Sequence, residues 1–340
     1  MNEIHSTVAE NVAARARERD RGELQPAKLK TALVVQGGTL RSVASCGAAA
    51  ALNHLGLTNA FDMVYGASSG AVNAAYFLSD QATLGVTVYL DDVNNRRFLN
   101  FFRPSKMLDL EFFFEQIVLS RKRHDFDRLV RHPTELRILV TDLVSGETVW
   151  FSSRDRGIDV YSALKASCAL PLIYGRGIEI NGRRYIDGMA TEPIPVITPL
   201  AHGYTDILVL MTRQVSYRQA RRPPLLAGLL IDPLIKRELK KDLFRKYENR
   251  WQLYNQAVDV IESGSFQGPD GSVTRVAYVC PDKTAEAHKF ELDRERLAAA
   301  AYSSWANTYA LFGKTDGAER AAFDAALMQS VEAMAAAAAT

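Results

Sequence analysis

The sequence predicts a single α/β domain built on a central, mostly parallel sheet. Three observations carry this. Apolar runs of strand length alternate with helix-competent segments from one end to the other. Several of those runs are apolar on both faces, as strands buried inside a parallel sheet are. No repeat of solenoid period is superimposed on the alternation.

Each element follows from local chemistry. Residues 1–28 are polar, with a short helix expected from Val8 to Arg17, and Pro26 marks the hand-over from an N-terminal arm to one domain over 29–340. TALVVQ (31–36) reads as a buried parallel strand ended by Gly37 and Gly38. Ser42 to Leu55 is alanine-rich and helix-competent and closes at Gly56, and FDMVYG (61–66) is the next strand. Strand, helix and strand within residues 31–66 make a βαβ unit. A helix follows from Ser69 to the Ser79-Asp80 break, and residues 83–131 hold mixed, phenylalanine-rich helical segments. LRILVTDL (136–143) and ETVWFSS (147–153) read as strands. In GIEI-NG-RRYI, Asn181-Gly182 between two β-type runs is the strongest two-residue hairpin signal, and it delivers Asp187 at the end of the second run. DILVLMTR (206–213) is a buried strand, Leu234 to Glu262 a charged amphipathic helix, VTRVAYVC (273–280) a late strand, and 293–338 two helices.

Composition excludes several function classes. At 47% hydrophobic and 24% charged residues the chain is globular, and a formal charge of +2 argues against a nucleic-acid binder covered by a basic field. Cys46, Cys168 and Cys280 lie far apart, with no C-x-x-C pair and no histidine at ligand spacing, so neither a metal nor another cofactor is expected. The N-terminus lacks a signal-peptide core and no apolar run reaches membrane-spanning length, which predicts a cytoplasmic protein whose membrane contact is peripheral.

The chemistry centres on Gly66-Ala67-Ser68-Ser69-Gly70, a G-x-S-x-G between a strand and a helix. A sharp turn there lifts the third residue clear of the sheet, and the helix N-terminus favours developing negative charge, so Ser68 is the candidate nucleophile. A tight βα turn with a capping serine is the alternative. Gln36-Gly37-Gly38-Thr39-Leu40-Arg41-Ser42 leaves the neighbouring strand, where backbone N–H groups face a tetrahedral oxyanion if the turn is so shaped. Arg41 is a candidate to fix that loop or add positive potential. Asp187, exposed by the turn that Gly188 allows, is the candidate carboxylate. A Ser-Asp-His order is formally available through His202 or His288, but Ser68 follows only the second strand and neither histidine has loop punctuation around it.

A glycine loop with a following arginine, then G-x-S-x-G on the second strand, then Asp-Gly about 120 residues later resembles the patatin-like phospholipases. Gly70-Ala71-Val72-Asn73-Ala74, Val140-Thr141-Asp142 with Gly146, and Ala166-Ser167-Cys168-Ala169-Leu170-Pro171 extend the likeness over about residues 30–215. It implies a three-layer α/β/α fold and a lipid acyl hydrolase with a Ser-Asp dyad and no histidine. Ser68 is then the nucleophile, Asp187 the base, and Gly37, Gly38 and Thr39 the oxyanion hole. An acyltransferase using the same dyad, and a catalytically weak member that binds acyl chains or membranes as a regulator, are the alternatives. The sequence departs from the family's G-G-G-x-R-G at Thr39 and Ser42, and from its D-G-G or D-G-A at Met189. At a left-handed third position, a β-branched threonine costs on the order of 1–2 kcal/mol.

Two segments bear on the substrate, a lipid or other acyl ester. Phe98, Phe101, Phe102, Phe112, Phe113 and Phe114 suit an acyl-chain pocket or lid, or else helix packing in the core. From 213 to 250 eleven basic residues face four acidic ones around PPLLAGLLIDPLI, a candidate peripheral contact with anionic lipid whose alternative is a solvated helix face.

Overall fold

The computed structural model describes residues 3–23, 29–103, 106–170, 177–220, 241–315 and 317–338. TALVV forms β1 (Thr31–Val35), with every residue buried, at the middle of the sheet. The other strands are β2 (Met63–Ala67), β3 (Glu135–Asp142), β4 (Thr148–Ser152), β5 (Ile178–Ile180), β6 (Arg183–Asp187), β7 (Asp206–Leu210), β8 (Ser265–Gln267) and β9 (Val273–Val279). Their order is β5-β6-β3-β2-β1-β7-β9-β8, with β4 paired to β3. β3, β2, β1, β7 and β9 run parallel, while β4, β5, β6 and β8 pair antiparallel at the margins. The sheet is therefore mostly parallel, as expected.

Strand alternation sends successive side chains to two separate cores. Leu33 and Val35 of β1 face one side, with Val64, Ile138 and Leu208. There they meet α1 (Glu3–Asp20), α2 (Val43–His54), α3 (Ser69–Leu78), α4 (Ala82–Thr87), and two further helices at Arg294–Leu311 and Glu319–Ala338. Ala32 and Val34 face the other side, against Tyr254, Ala257, Val258 and Ile261 of the helix Lys241–Ser263. With α5 (Phe126–Arg131), α6 (Val160–Ser167) and α7 (Ile197–Leu200), these last three become α8 (Lys241–Ser263), α9 (Arg294–Leu311) and α10 (Glu319–Ala338). Helices thus cover both faces, and the architecture is a three-layer α/β/α sandwich.

Several elements differ from expectation. The N-terminal helix covers Glu3–Asp20 rather than Val8–Arg17, and it does not trail as an arm. Val8 and Val12 are fully buried in the first core, and Arg15 and Arg19 both reach Asp62, at 2.6 and 2.7 Å. Its apolar face is only a few residues wide, which is why composition reads it as polar. The stretch 83–131 includes π-helical turns at Val88–Asp92 and Phe112–Arg121. The hairpin forms as read, with Asn181 and Gly182 both left-handed, at φ 50° and 76°. The hand-over at Pro26, Pro171, and residues 221–240 of the basic segment, including the start of the helix expected from Leu234, lie outside the described residues.

One helix contact is close enough to test. A Cβ on Gly47 of α2 would lie 2.3 Å from the carbonyl oxygen of Ala301 in α9 and 2.8 Å from its Cα. Backbone on both sides leaves no side chain to yield. Gly47→Ala is expected to lower unfolding free energy by about 1–3 kcal/mol, the usual cost of overpacking, measured as a reduced urea midpoint.

Candidate active site

β1 and β2 are parallel neighbours, so the loops leaving their carboxyl ends stand side by side. Ser68 directly follows β2 at φ 57°, ψ −141°, a conformation serine tolerates only where its surroundings enforce it. They do so here. The Ser68 N–H donates to Ser167 Oγ at 2.8 Å, and Ser167 Oγ donates to the Leu139 carbonyl at 2.7 Å, which pins the turn to β3. On the other side Gly70 lets α3 approach the first loop, since a Cβ there would lie 2.3 Å from the Val35 carbonyl oxygen.

Asp187 ends β6 opposite Val140 and is fully buried. Its N–H donates to the Ala169 carbonyl at 3.0 Å and its Oδ1 accepts the Met189 N–H at 2.8 Å. Oδ2 is buried without a hydrogen bond of normal geometry. Burial pushes the carboxyl pKa up to about 6, and the Met189 N–H, the Ser68 hydroxyl and the charge of Lys289 offset part of that rise. Ser68 and Asp187 are therefore brought together from strands β2 and β6, which lie on either side of β3. Close packing at Gly188, where a Cβ would sit 2.3 Å from Leu139 Cγ, holds the carboxylate at that depth.

The glycine loop lies against Ser68. A Cβ on Gly37 would be 2.9 Å from Ser68 Cβ, so only glycine fits there. The N–H groups of Gly38 and Thr39 both donate to Ser69 Oγ at 3.1 Å, and Ser69 Oγ shares a 2.7 Å hydrogen bond with Ser42 Oγ. Thr39 has φ 58°, so the position that departs from the family's glycine is indeed left-handed. Ser42, the other departure in this loop, is the residue that meets Ser69. Arg41 is buried and donates from Nε to Thr212 Oγ1 at 3.2 Å.

None of the six histidines is a hydrogen-bond partner of Ser68 or Asp187. His202 pairs with Tyr65 Oη at 2.8 Å, and His288 accepts the Phe290 N–H of its own loop at 3.3 Å. Among the described residues no group of His, Cys, Asp and Glu is placed to hold a metal ion, and no helix is long and apolar enough to cross a membrane.

A cleft of about 440 Å³, counting the part open to solvent, starts at Ser68 and Thr39. Its walls are apolar: Tyr89, Phe98, Leu108, Leu110, Phe113 and Leu170. The phenylalanine cluster thus divides. Phe98 and Phe113 line the cleft, Phe112 and Phe114 are buried, and Phe101 and Phe102 are 58% and 93% exposed. Cys168 also lines the cleft, its thiol pKa pushed well up by burial and by the charge of Asp187. Sequence reasoning missed Ser69, Ser167 and Lys289 as parts of this region. Ser69 was legible only as the residue after Ser68, and Ser167 only as part of a quoted motif. Lys289 carried no signal, because a long-range contact brings it in: its carbonyl accepts the Leu40 N–H at 3.2 Å.

A serine on a strand-turn-helix elbow, over a mostly parallel sheet with helices on both faces, is a hydrolase architecture. Residues 33–200 match the family model described as patatin-like phospholipase, and the chain belongs to that family. It is 24% identical over 205 residues to the uncharacterized protein YjjU of Escherichia coli K12, across 55% of this chain and 53% of that one. The chain thus spans about half the length of that curated relative. Among solved structures, human GIVD cytosolic phospholipase A2, in complex with methyl gamma-linolenyl fluorophosphonate, superposes with a TM-score of 0.45 at 11% identity. That superposition covers 97% of this chain and 64% of the human one.

Proposed function

We propose that this protein is a serine acyl hydrolase that cleaves lipid acyl esters through a Ser68-Asp187 dyad. The observation that carries the reading is the strained Ser68 turn beside a fully buried carboxylate with one oxygen unsatisfied. Ser68 Oγ attacks the ester carbonyl while Asp187 accepts its proton. A carboxylate whose pKa has risen to about 6 is a better base than an ordinary one and is still ionised at neutral pH. The oxyanion takes the place of Ser69 Oγ before the Gly38 and Thr39 N–H groups, while Gly37 allows the close approach. The alcohol leaves with the proton from Asp187. Water then attacks the acyl-serine, Asp187 takes its proton, and the Ser68 hydroxyl is restored as the fatty acid departs. The apolar cleft holds the acyl chain.

Labelling with an alkyl fluorophosphonate followed by peptide mass spectrometry tests this. A single adduct on Ser68, absent from Ser68→Ala, is expected; no adduct, or one on another serine, refutes the reading. The Ser69 hydroxyl gives a finer prediction. Because it occupies both N–H donors, Ser69→Ala removes a competitor of the oxyanion, and kcat on a p-nitrophenyl ester is expected to rise severalfold with KM little changed. A fall in kcat would show that Ser69 holds the donors in place.

A further inference from the structure

We infer that Tyr89 and Asn73 are positioning residues that tie the acyl cleft to the glycine loop, so that a long acyl chain raises kcat and does not merely tighten binding. This rests on the reading of Ser68 as nucleophile and of the Gly38 and Thr39 N–H groups as oxyanion donors. It gives a task to a side chain that the proposed chemistry leaves unused, the asparagine of Gly70-Ala71-Val72-Asn73-Ala74.

Asn73 stands on α3, in the helix that Ser68 introduces, and is buried. Its amide is bonded on both sides. Nδ2 donates to the Ser42 carbonyl at 2.9 Å and to Ser45 Oγ at 3.1 Å, and Oδ1 accepts from Tyr89 Oη at 2.9 Å. Because a carbonyl can only accept, the amide has one orientation, and the Tyr89 hydroxyl must be the donor. Ser45 Oγ lies 2.9 Å from the Gln36 carbonyl and 3.0 Å from that of Ser42, and it can donate to either. The glycine loop runs from Gly37 to Arg41 between those two carbonyls. One amide therefore clasps it at both ends, at Ser42 directly and at Gln36 through Ser45.

The Ser42 end bears on the oxyanion donors. Ser69 Oγ accepts the Gly38 and Thr39 N–H groups, which fills its two lone pairs, so in its 2.7 Å contact with Ser42 Oγ it is Ser69 that donates. Ser42 is thus the post to which the partner of both donors is fixed. Thr39 itself, at φ 58°, keeps a conformation that persists only where neighbouring structure enforces it. Moving the Ser42 backbone would loosen the loop at the point where its strain is held.

Tyr89 is the other end of the link. It belongs to the π-helical turn Val88–Asp92, and it lines the cleft that starts at Ser68 and Thr39. Burial, with Cys46 and Cys168 nearby, pushes its phenol well above the ordinary pKa, so the hydroxyl stays a neutral donor to Asn73. The same side chain therefore meets the acyl chain as cleft wall and supports the loop through its hydroxyl. An acetyl group offers that wall little apolar surface, and an octanoyl chain offers far more. Binding energy from a part of the substrate remote from the reacting carbonyl raises kcat when it is used to hold the transition-state geometry, and here the hydrogen bonds lead from the wall to the oxyanion donors.

Steady-state kinetics of the full-length protein on p-nitrophenyl acetate and p-nitrophenyl octanoate read the coupling as the ratio of the two kcat values. In the native protein the octanoate is expected to turn over about tenfold faster or more. Tyr89→Phe keeps the ring and removes the hydroxyl. It is expected to lower kcat on both esters, and on the octanoate more, bringing the ratio to about three or less while KM for the octanoate stays within about twofold. Asn73→Ala breaks the same link at its middle, and adding it to Tyr89→Phe should reduce the ratio no further, as for two residues in one chain of contacts. If Asn73→Ala unfolds the protein, seen in a thermal melt, Tyr89→Phe alone decides. A native ratio near one overturns the coupling, and so does a Tyr89→Phe protein that keeps the native ratio. Fluorophosphonate labelling of native Ser68 reads the hydrolase separately: an unlabelled Ser68 sinks both, whereas a labelled Ser68 with an unaltered ratio sinks only the coupling.

Discussion

Ser68→Ala is expected to lower kcat on any accepted ester by a factor on the order of 10⁴ or more, while the fold persists. Removing the nucleophile of a coupled catalytic unit leaves only binding and oxyanion stabilisation, which together retain a small remainder over water. The structural cost is small. The turn is held by the Ser68 N–H to Ser167, a bond that alanine keeps. Alanine at φ 57° carries the same backbone strain as serine, so the melting temperature should stay within a few degrees. Stopped assays on p-nitrophenyl butyrate and a thermal melt check both halves. Activity retained within tenfold would place the nucleophile elsewhere.

Asp187→Asn should separate activity from stability. With the proposed base gone, kcat is expected to fall by a factor on the order of 10³–10⁴. Stability moves the other way, and its direction follows from the raised carboxyl. Asp187 sits at about 6 in the fold against 3.8 unfolded. Below about pH 4 the group is protonated in both states, and above about pH 6 a buried charge must be maintained. Its contribution to stability therefore drops as pH rises from about 4 to about 6 and is level beyond. Two pKa units correspond to about 3 kcal/mol at most. Asparagine carries no charge to bury, so the variant should be more stable than the native protein at pH 8 by up to that amount and equal to it near pH 4. Native kcat/KM should in turn fall about tenfold per pH unit below 6, as the base is protonated. Denaturant melts at the two pH values and a pH-rate profile decide the matter; a flat profile between 5 and 7 would remove Asp187 from the proton path.

Features that announce themselves locally were legible in the sequence. β1 and β2 are short apolar runs closed by glycine, and Asn181-Gly182 dictates its turn within two residues. Thr39 stood out as a threonine where the resembled loop carries glycine, but whether its backbone is left-handed stayed open until the structure put φ at 58°. What was not legible depends on contacts made across the chain. Arg15 and Arg19 anchor the first helix through Asp62, a partner more than 40 residues away that no periodicity reveals. Ser69 is silent until Ser42 and the Gly38 and Thr39 N–H groups converge on its hydroxyl. Ser167 lies 99 residues from the turn it clamps. Lys289 becomes a neighbour of the site only because β7 is laid beside β1 and β9 beside β7. Among the phenylalanines, composition alone does not sort the cleft wall from the core or from solvent.

The central place of β1 also sets how the chain can be cut. Its hydrogen bonds run to β2 on one edge and to β7 on the other, and β7 begins at residue 206, after the family match ends at 200. A fragment stopping at 200 would leave one whole edge of β1 unpaired, five consecutive buried residues with exposed N–H and C=O groups. It would also uncover the face of α2 that rests on α9. Such an edge is a template for pairing with another chain. The recognisable half of this protein is thus a sequence unit and not a folding unit, and expressed alone it is expected to aggregate.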